Sequence, residues 1–202
     1  MLSIIEAAGW PIWFILFTSV VALAIIIERF WSLRVTLVAP RELLPSTIRE
    51  YQTSGVTQDL LVRLQRGPLL GRIFAAALAN ERSPREVIRD AVEDSGRAVA
   101  LELERFLNTL GTIATVSTLL GLFGTIVGMI EIFGSTTPTG GNPAQLAHGI
   151  SVALYNTLFG IGVAIPAVIF YRHFRNRVDV LVMDMEGQAI KLVEILRGER
   201  RA

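Results

Sequence analysis

TLGTIATVSTLLGLFGTIVGMI, residues 109–130, holds 22 residues without a charge, a proline or a strong turn signal. A bilayer's hydrocarbon core of roughly 30 Å is crossed by about 20 helical residues. Inside lipid the backbone must satisfy its own hydrogen bonds, so such a run is a membrane helix. Working outward, uncharged windows of similar length lie at residues 10–27 and 149–171, and the central one extends over 106–130. Composition agrees: 51% of residues are hydrophobic, only 18% are charged, and mean hydropathy is +0.51. The predicted fold class is an all-α integral membrane protein with three transmembrane helices. Cysteine is absent, which excludes disulfides, thiolate metal sites and cysteine nucleophiles.

The 19 basic and 18 acidic residues nearly cancel, but their placement is asymmetric. No Lys or Arg occurs before Arg29 or within residues 134–148, whereas all 19 fall in 29–105 and 172–201. By the positive-inside rule the N-terminus and the 134–148 loop are expected outside, and the rest of the extramembrane chain in the cytoplasm. The N-terminal apolar stretch lacks a basic n-region and a small-residue cleavage pattern, so it is expected to stay as an anchor and not to act as a signal peptide. The expected organisation is a periplasmic end and first span (1–30), a cytoplasmic helical domain (31–105), a second span (106–133), a periplasmic loop (134–148), a third span (149–171) and a C-terminal cytoplasmic helix (172–202).

Within the cytoplasmic domain the spacing of Leu60, Leu61 and Leu64 predicts a short amphipathic helix over Gln58–Arg66, bounded by Ser54-Gly55 and Gly67-Pro68. Ser83, Pro84 and Glu86 form a capping-box pattern opening a longer helix. Its apolar residues Val87, Ile88, Ala91, Val99, Leu101 and Phe106 run on into the second span, which predicts that the second membrane helix begins deep in the cytoplasm. After Tyr171, Val178, Leu181, Met185, Ala189, Leu192 and Ile195 recur every three or four positions, extending the third span as an amphipathic helix. The segment GSTTPTGGNPAQLAH is expected to be an external turn.

The spans carry hydroxyls and small residues in place of ionisable groups. Thr118, Gly121, Thr125 and Gly128 lie near one face of the second span, and Gly124 and Gly128 make a GxxxG pair. The third span holds Ser151, Asn156, Thr157 and Gly160, followed by Pro166 as a possible kink. Small residues of this kind permit close helix packing, and Ser or Thr can bond back to the preceding turn. Glu6, Glu28, Glu131 and His148 sit at membrane edges and read as solvated interfacial groups. No HExxH, GxSxG or phosphate-binding loop occurs, so neither an enzyme nor a cofactor is expected.

LGTIATVSTLLGLFGTIVGMIEIF, GISVALYNTLFGIGVAIPAVIFY and IIIERFWSLR together resemble the MotA/TolQ/ExbB proton-channel family, over nearly the whole chain. Three spans point to its ExbB and TolQ branch. The resemblance implies a subunit of a bacterial inner-membrane motor that uses the proton gradient to energise an outer-membrane process. It also implies a homo-pentamer around single-span partners of the ExbD or TolR type, which carry the membrane aspartate and act on a TonB- or TolA-type protein. Thr125 and Thr157 correspond to the family's pore threonines, with Thr118, Ser151 and Asn156 as further pathway residues. Arg89, Arg97, Arg105, Arg172, Arg175 and Arg177 are expected to rim a cytoplasmic cavity or meet anionic head groups. Two departures stand out: Val152 replaces a usual glutamate and Thr118 a usual proline. Val152 keeps open a non-conducting scaffold of the same fold. A small-solute transporter is disfavoured by three spans with no internal repeat. A TolQ-like role stands beside the ExbB-like one.

Overall fold

The computed structural model describes residues 9–134 and 143–199. Glu6, the turn residues 135–142 and the side chain of His148 lie outside what is described. Among the described residues there are eight helices and no strand: α1 (Ile12–Ser32), α2 (Val35–Val38), α3 (Leu43–Ser54), α4 (Gln58–Arg66), α5 (Leu69–Ala79), α6 (Arg85–Glu104), α7 (Leu107–Gly134) and α8 (Pro143–Leu196). Three helical stretches are long and apolar enough to cross a membrane: Ile12–Ser32, Arg85–Gly134 and Gly149–Leu196. The chain divides into two compact units, one of Met1–Glu28 and Phe106–His173, the other of Arg29–Arg105 and Phe174–Ala202.

In the first unit α1 buries Ile12, Ile15, Ala22 and Ile26, a stripe at helical spacing, and exposes Trp13, Phe14, Phe17, Val20 and Leu23. Such an outward apolar face suits lipid, where burial away from water needs no protein partner. Trp10 meets Phe123 of α7 edge to face at 5.9 Å. Helices α7 and α8 run antiparallel along a seam of small residues. Gly111 faces Tyr171, Gly121 faces Gly160, Gly124 faces Asn156, Gly128 faces Ala153 and Ile132 faces Gly149. A Cβ at Gly160 would stand 2.5 Å from the Ser117 carbonyl oxygen and 2.8 Å from Gly121 Cα, so here the two backbones touch. Only glycine permits that approach, and it replaces hydrophobic burial with close van der Waals contact, the interaction that still discriminates between helices in lipid.

The second unit is built on α5, whose Leu70, Gly71, Ile73, Phe74, Ala75, Ala77 and Leu78 are all buried. It packs against α2, α4 and α6. Helix α4 matches the expected Gln58–Arg66 bounds, with Thr57 as its N-cap accepting from Leu60 N at 3.3 Å. Leu60 and Leu64 are buried as the spacing requires. At Gly71 a Cβ would fall 2.5 Å from the Leu64 carbonyl oxygen, which brings α5 directly onto the end of α4. Tyr51 has its hydroxyl pushed up from the ordinary tyrosine value, first by burial and then by the neighbouring Glu81 carboxylate. Val178, Leu181, Met185, Ala189 and Leu192 of α8 are all buried, the stripe read from their three-and-four spacing. Phe174 is buried beside Phe30, edge to face at 5.1 Å.

Three expectations are corrected in detail. The run leading into the second span is interrupted: α6 ends at Glu104, α7 starts at Leu107, and Phe106 between them takes φ 66°, a left-handed conformation unusual for a bulky residue. Apolar periodicity continues through this point, which is why the pattern alone reads as one helix. The capping box does not form. Pro84, with ψ 152°, occupies the N-cap position of α6, and no side chain caps the helix there. Residues 143–148, expected in the turn, and Gly134 are helical, because their uncharged, small-residue composition is as compatible with a helix end as with a loop.

Arg29, read from sequence only as a flanking charge, is 5% exposed and donates from a guanidinium nitrogen to the Leu103 carbonyl at 3.0 Å. Leu103 lies in the last turn of α6, where carbonyls lack intrahelical donors and the helix dipole favours a cation. Replacing the guanidinium by an apolar side chain of similar length removes the donor while keeping the stem. Arg29→Met is expected to cost about 1.5 kcal/mol, seen as a lowered melting temperature in detergent, with Arg29→Lys falling between the two.

Candidate functional site

The α7–α8 seam brings two of the sequence-predicted residues into direct contact. Thr125, four residues after Gly121, and Thr157, one residue after Asn156, meet hydroxyl to hydroxyl. Thr125 Oγ1 also lies 3.1 Å from the Gly121 carbonyl of its own helix and 3.2 Å from the Ala153 carbonyl of α8. Thr157 Oγ1 reaches back across the seam to the same Gly121 carbonyl at 3.2 Å. Gly121 is what makes this possible, since a Cβ there would be 2.9 Å from the Asn156 carbonyl oxygen and 3.2 Å from Thr157 Cα. Both threonines are half-buried. The pair therefore presents two hydroxyls at one place, each able to donate and to accept.

Asn156 is buried, 1% exposed, with its side chain over Gly124, where a Cβ would be 2.6 Å from Cγ. It borders the threonine pair. Thr118 and Ser151 do not join it. Thr118 is turned to an exposed groove of about 610 Å³ lined also by Thr115, Ala164 and Val168, and donates to its own helix at Ala114 O, 3.2 Å away. Ser151 is exposed and bonds back to Ala147 O at 3.0 Å. Pro166 lies within α8, which continues through it. Val152, at the position of the usual glutamate, is half-buried and brings no ionisable group.

Two further hydroxyls, of Ser117 and Thr18, come together beside the seam without a sequence motif to mark them. Ser117 is fully buried, and its hydroxyl lies 3.2 Å from Thr18 Oγ1 of α1, which itself bonds to Ile15 O at 2.9 Å. Ser117 stands four residues before Gly121 on the small-residue stripe 117, 121, 124, 128, and that spacing, in place of a motif, is the signal that points to it. A hydroxyl contact of this kind joins the first span to the second without a charge.

The basic residues divide. Arg89 and Arg97 line a groove of about 400 Å³ between α6 and α8, together with Glu93 and Glu186. Arg97 is paired with Glu93 and lies 3.9 Å from Asp94. Arg175 pairs with Glu104 at 3.1 Å and approaches Asp179 at 4.0 Å. Arg105, Arg172 and Arg177 are exposed. The groove is mixed in sign, and Arg97 and Arg175 have acidic partners on the protein itself.

Uncharged spans, a glycine seam and a hydroxyl pair within it make up the site. Residues 66–187 match the MotA/TolQ/ExbB proton channel family, and the chain belongs to it. It is 35% identical over 183 residues to a putative biopolymer transport protein, ExbB-like 3, of Synechocystis sp., covering 87% of this chain and 86% of that one. It is 40% identical over 82 residues to the Tol-Pal system protein TolQ of Pseudomonas aeruginosa, covering 40% of this chain and 36% of that one. In structure it resembles the flagellar MotAB stator complex of Bacillus subtilis, with TM-score 0.64 and 19% identity over 94% of this chain and 78% of the other, a likeness of fold.

Proposed function

We propose that the chain is an ExbB-like subunit of a proton-driven motor in the bacterial inner membrane, working with an ExbD- or TolR-type single-span partner that carries a membrane aspartate. The observation that carries this reading is the hydroxyl pair of Thr125 and Thr157 in an otherwise uncharged seam. A carboxylate within hydrocarbon is costly unless it is protonated or hydrogen-bonded, and a hydroxyl serves it in both states. The chain supplies the polar wall and the partner supplies the titrating group. Five copies are expected to surround the partner helices, with α7 and α8 lining the pathway, α1 outside toward lipid, the N-terminus periplasmic and the C-terminus cytoplasmic. Asn156 extends the pathway beside the pair, and Thr118 and Ser151, which stand apart from it on exposed faces of α7 and α8, are further pathway residues in the assembled pentamer. Arg89, Arg97, Arg105, Arg172, Arg175 and Arg177 rim the cytoplasmic side. The neighbouring fold being that of a stator complex supports assembly with a second component.

The coupled process is proposed to be TonB-dependent import, in line with the ExbB-like relative that spans most of the chain. The TolQ likeness over part of the chain favours envelope maintenance as the second reading. Co-expression with a single-span, aspartate-bearing partner and reconstitution in liposomes tests the motor assignment with a pH-sensitive dye. Proton flux is expected with the partner and not without it, and native mass spectrometry is expected to give five copies. Flux that needs no partner, or tetramers alone, would overturn the assignment. Assembly without any flux would establish the scaffold that Val152 keeps open.

A further inference from the structure

We propose that residues 30–41 form a binding surface for anionic phospholipid, with Arg34 and Arg41 holding the headgroup phosphate and Trp31 and Leu37 seated at the boundary between headgroups and acyl chains. The segment is held from one side. Leu33, Val38 and Ala39 are buried at 4% or less, and Val38 N and Leu37 N both bond to the Arg34 carbonyl, at 3.1 and 3.0 Å. What is left outward is Trp31 at 60% exposure, Leu37 at 58% and both arginines. Large apolar side chains left uncovered beside cations mark a surface that meets something.

Three observations identify that something as lipid. Trp31 continues the exposed stripe Val20, Leu23 and Ile27 of α1 at spacings of three and four, so the face that suits hydrocarbon leads directly into it. Indole is the side chain favoured at the membrane–water boundary, with an apolar ring and one N–H for the wet side. The Arg34 guanidinium carbon lies 5.8 Å from the centre of the Trp31 ring, which fixes the cation over the aromatic face and leaves its N–H edge for a phosphate. Among the described residues neither Arg34 nor Arg41 forms an ion pair with a carboxylate, whereas Arg63, Arg72, Arg97 and Arg175 all do.

The chain has three tryptophans, so Trp10→Phe with Trp13→Phe leaves Trp31 as the only indole. The full-length protein is placed in vesicles of phosphatidylcholine with a minor share of phosphatidylglycerol. In one set the acyl bromines are on the phosphatidylglycerol, and in the other on an equal amount of the phosphatidylcholine. Local enrichment of the anionic lipid by about fivefold per arginine is expected, read as stronger Trp31 quenching in the first set. Arg34→Gln with Arg41→Gln is expected to make the two sets equal while leaving quenching present. Equal quenching in the unaltered background, or a preference that survives both substitutions, would overturn the proposal. Absence of quenching in both sets would show that protein covers Trp31, and would overturn it as well. Bromine on acyl chains makes the readout blind to free phosphate.

Discussion

Thr157→Val is expected to cut gradient-driven work by about ten- to a hundredfold while leaving assembly with the partner intact. Valine keeps the β-branched shape, so the seam closes as before, but the hydroxyl that meets Thr125 and Gly121 O is gone. A carboxylate brought to this place then loses a donor when ionised and an acceptor when protonated. Its pKa rises and release of the proton slows. A hydrogen bond to a charged group is worth about 1.5–3 kcal/mol, so proton flux in reconstituted liposomes should fall by about ten- to a hundredfold. Thr125→Val should behave alike, and Thr157→Ser should retain much of the flux. If both valine variants conduct at the unaltered rate with normal stoichiometry, the threonines are packing residues only.

Substitution at Gly160 should be felt in folding before it is felt in transport. Alanine there sets a methyl carbon 2.5 Å from the Ser117 carbonyl and 2.8 Å from Gly121 Cα, contacts that are backbone on both sides and cannot be relieved by a side-chain rotation. Forcing an extra carbon into such a contact costs about 1–3 kcal/mol, and Gly160→Leu should prevent α7 and α8 from pairing at all. Gly162→Ala, two residues away, is the control, since a Cβ there meets nothing within 4 Å. A melting series in detergent in which the two alanine variants are indistinguishable would show that the seam relaxes freely.

How far the fold could be read from sequence depended on how each segment meets its surroundings. Uncharged runs of membrane length show themselves by composition, and the α8 stripe from Val178 to Leu192 shows itself by period, because both signals are repeated many times over. Helix α5 carries neither signal strongly: it is short and nearly all apolar, and only its burial on several sides explains it. The break at Phe106 was invisible because it rests on one residue's backbone angle and interrupts no pattern of side chains. At the site, Thr125 and Thr157 were named from resemblance, and their mutual contact needed the register of two helices 32 residues apart in sequence. Ser117 is hard to single out in sequence, because a serine among threonines looks like solvent-facing or packing polarity until its neighbour Thr18 is placed beside it. Arg29 reads in sequence as a flanking charge, since nothing in the chain order joins it to Leu103.

Thr125 and Thr157 meet oxygen to oxygen. Two hydroxyls carry two protons, and around them stand the Gly121 and Ala153 carbonyls as well as each other's oxygen. Two arrangements satisfy this set: Thr157 gives its proton to Thr125, which gives its own to a carbonyl, or the order runs in reverse and ends at Gly121 O. The heavy atoms are the same in both, and only the direction of the O–H dipoles differs. In the proposed motor, the last hydroxyl of either chain would turn its proton from the carbonyl to the partner's carboxylate and turn it back when the carboxylate leaves, a rotation of hydroxyls with no helix displaced.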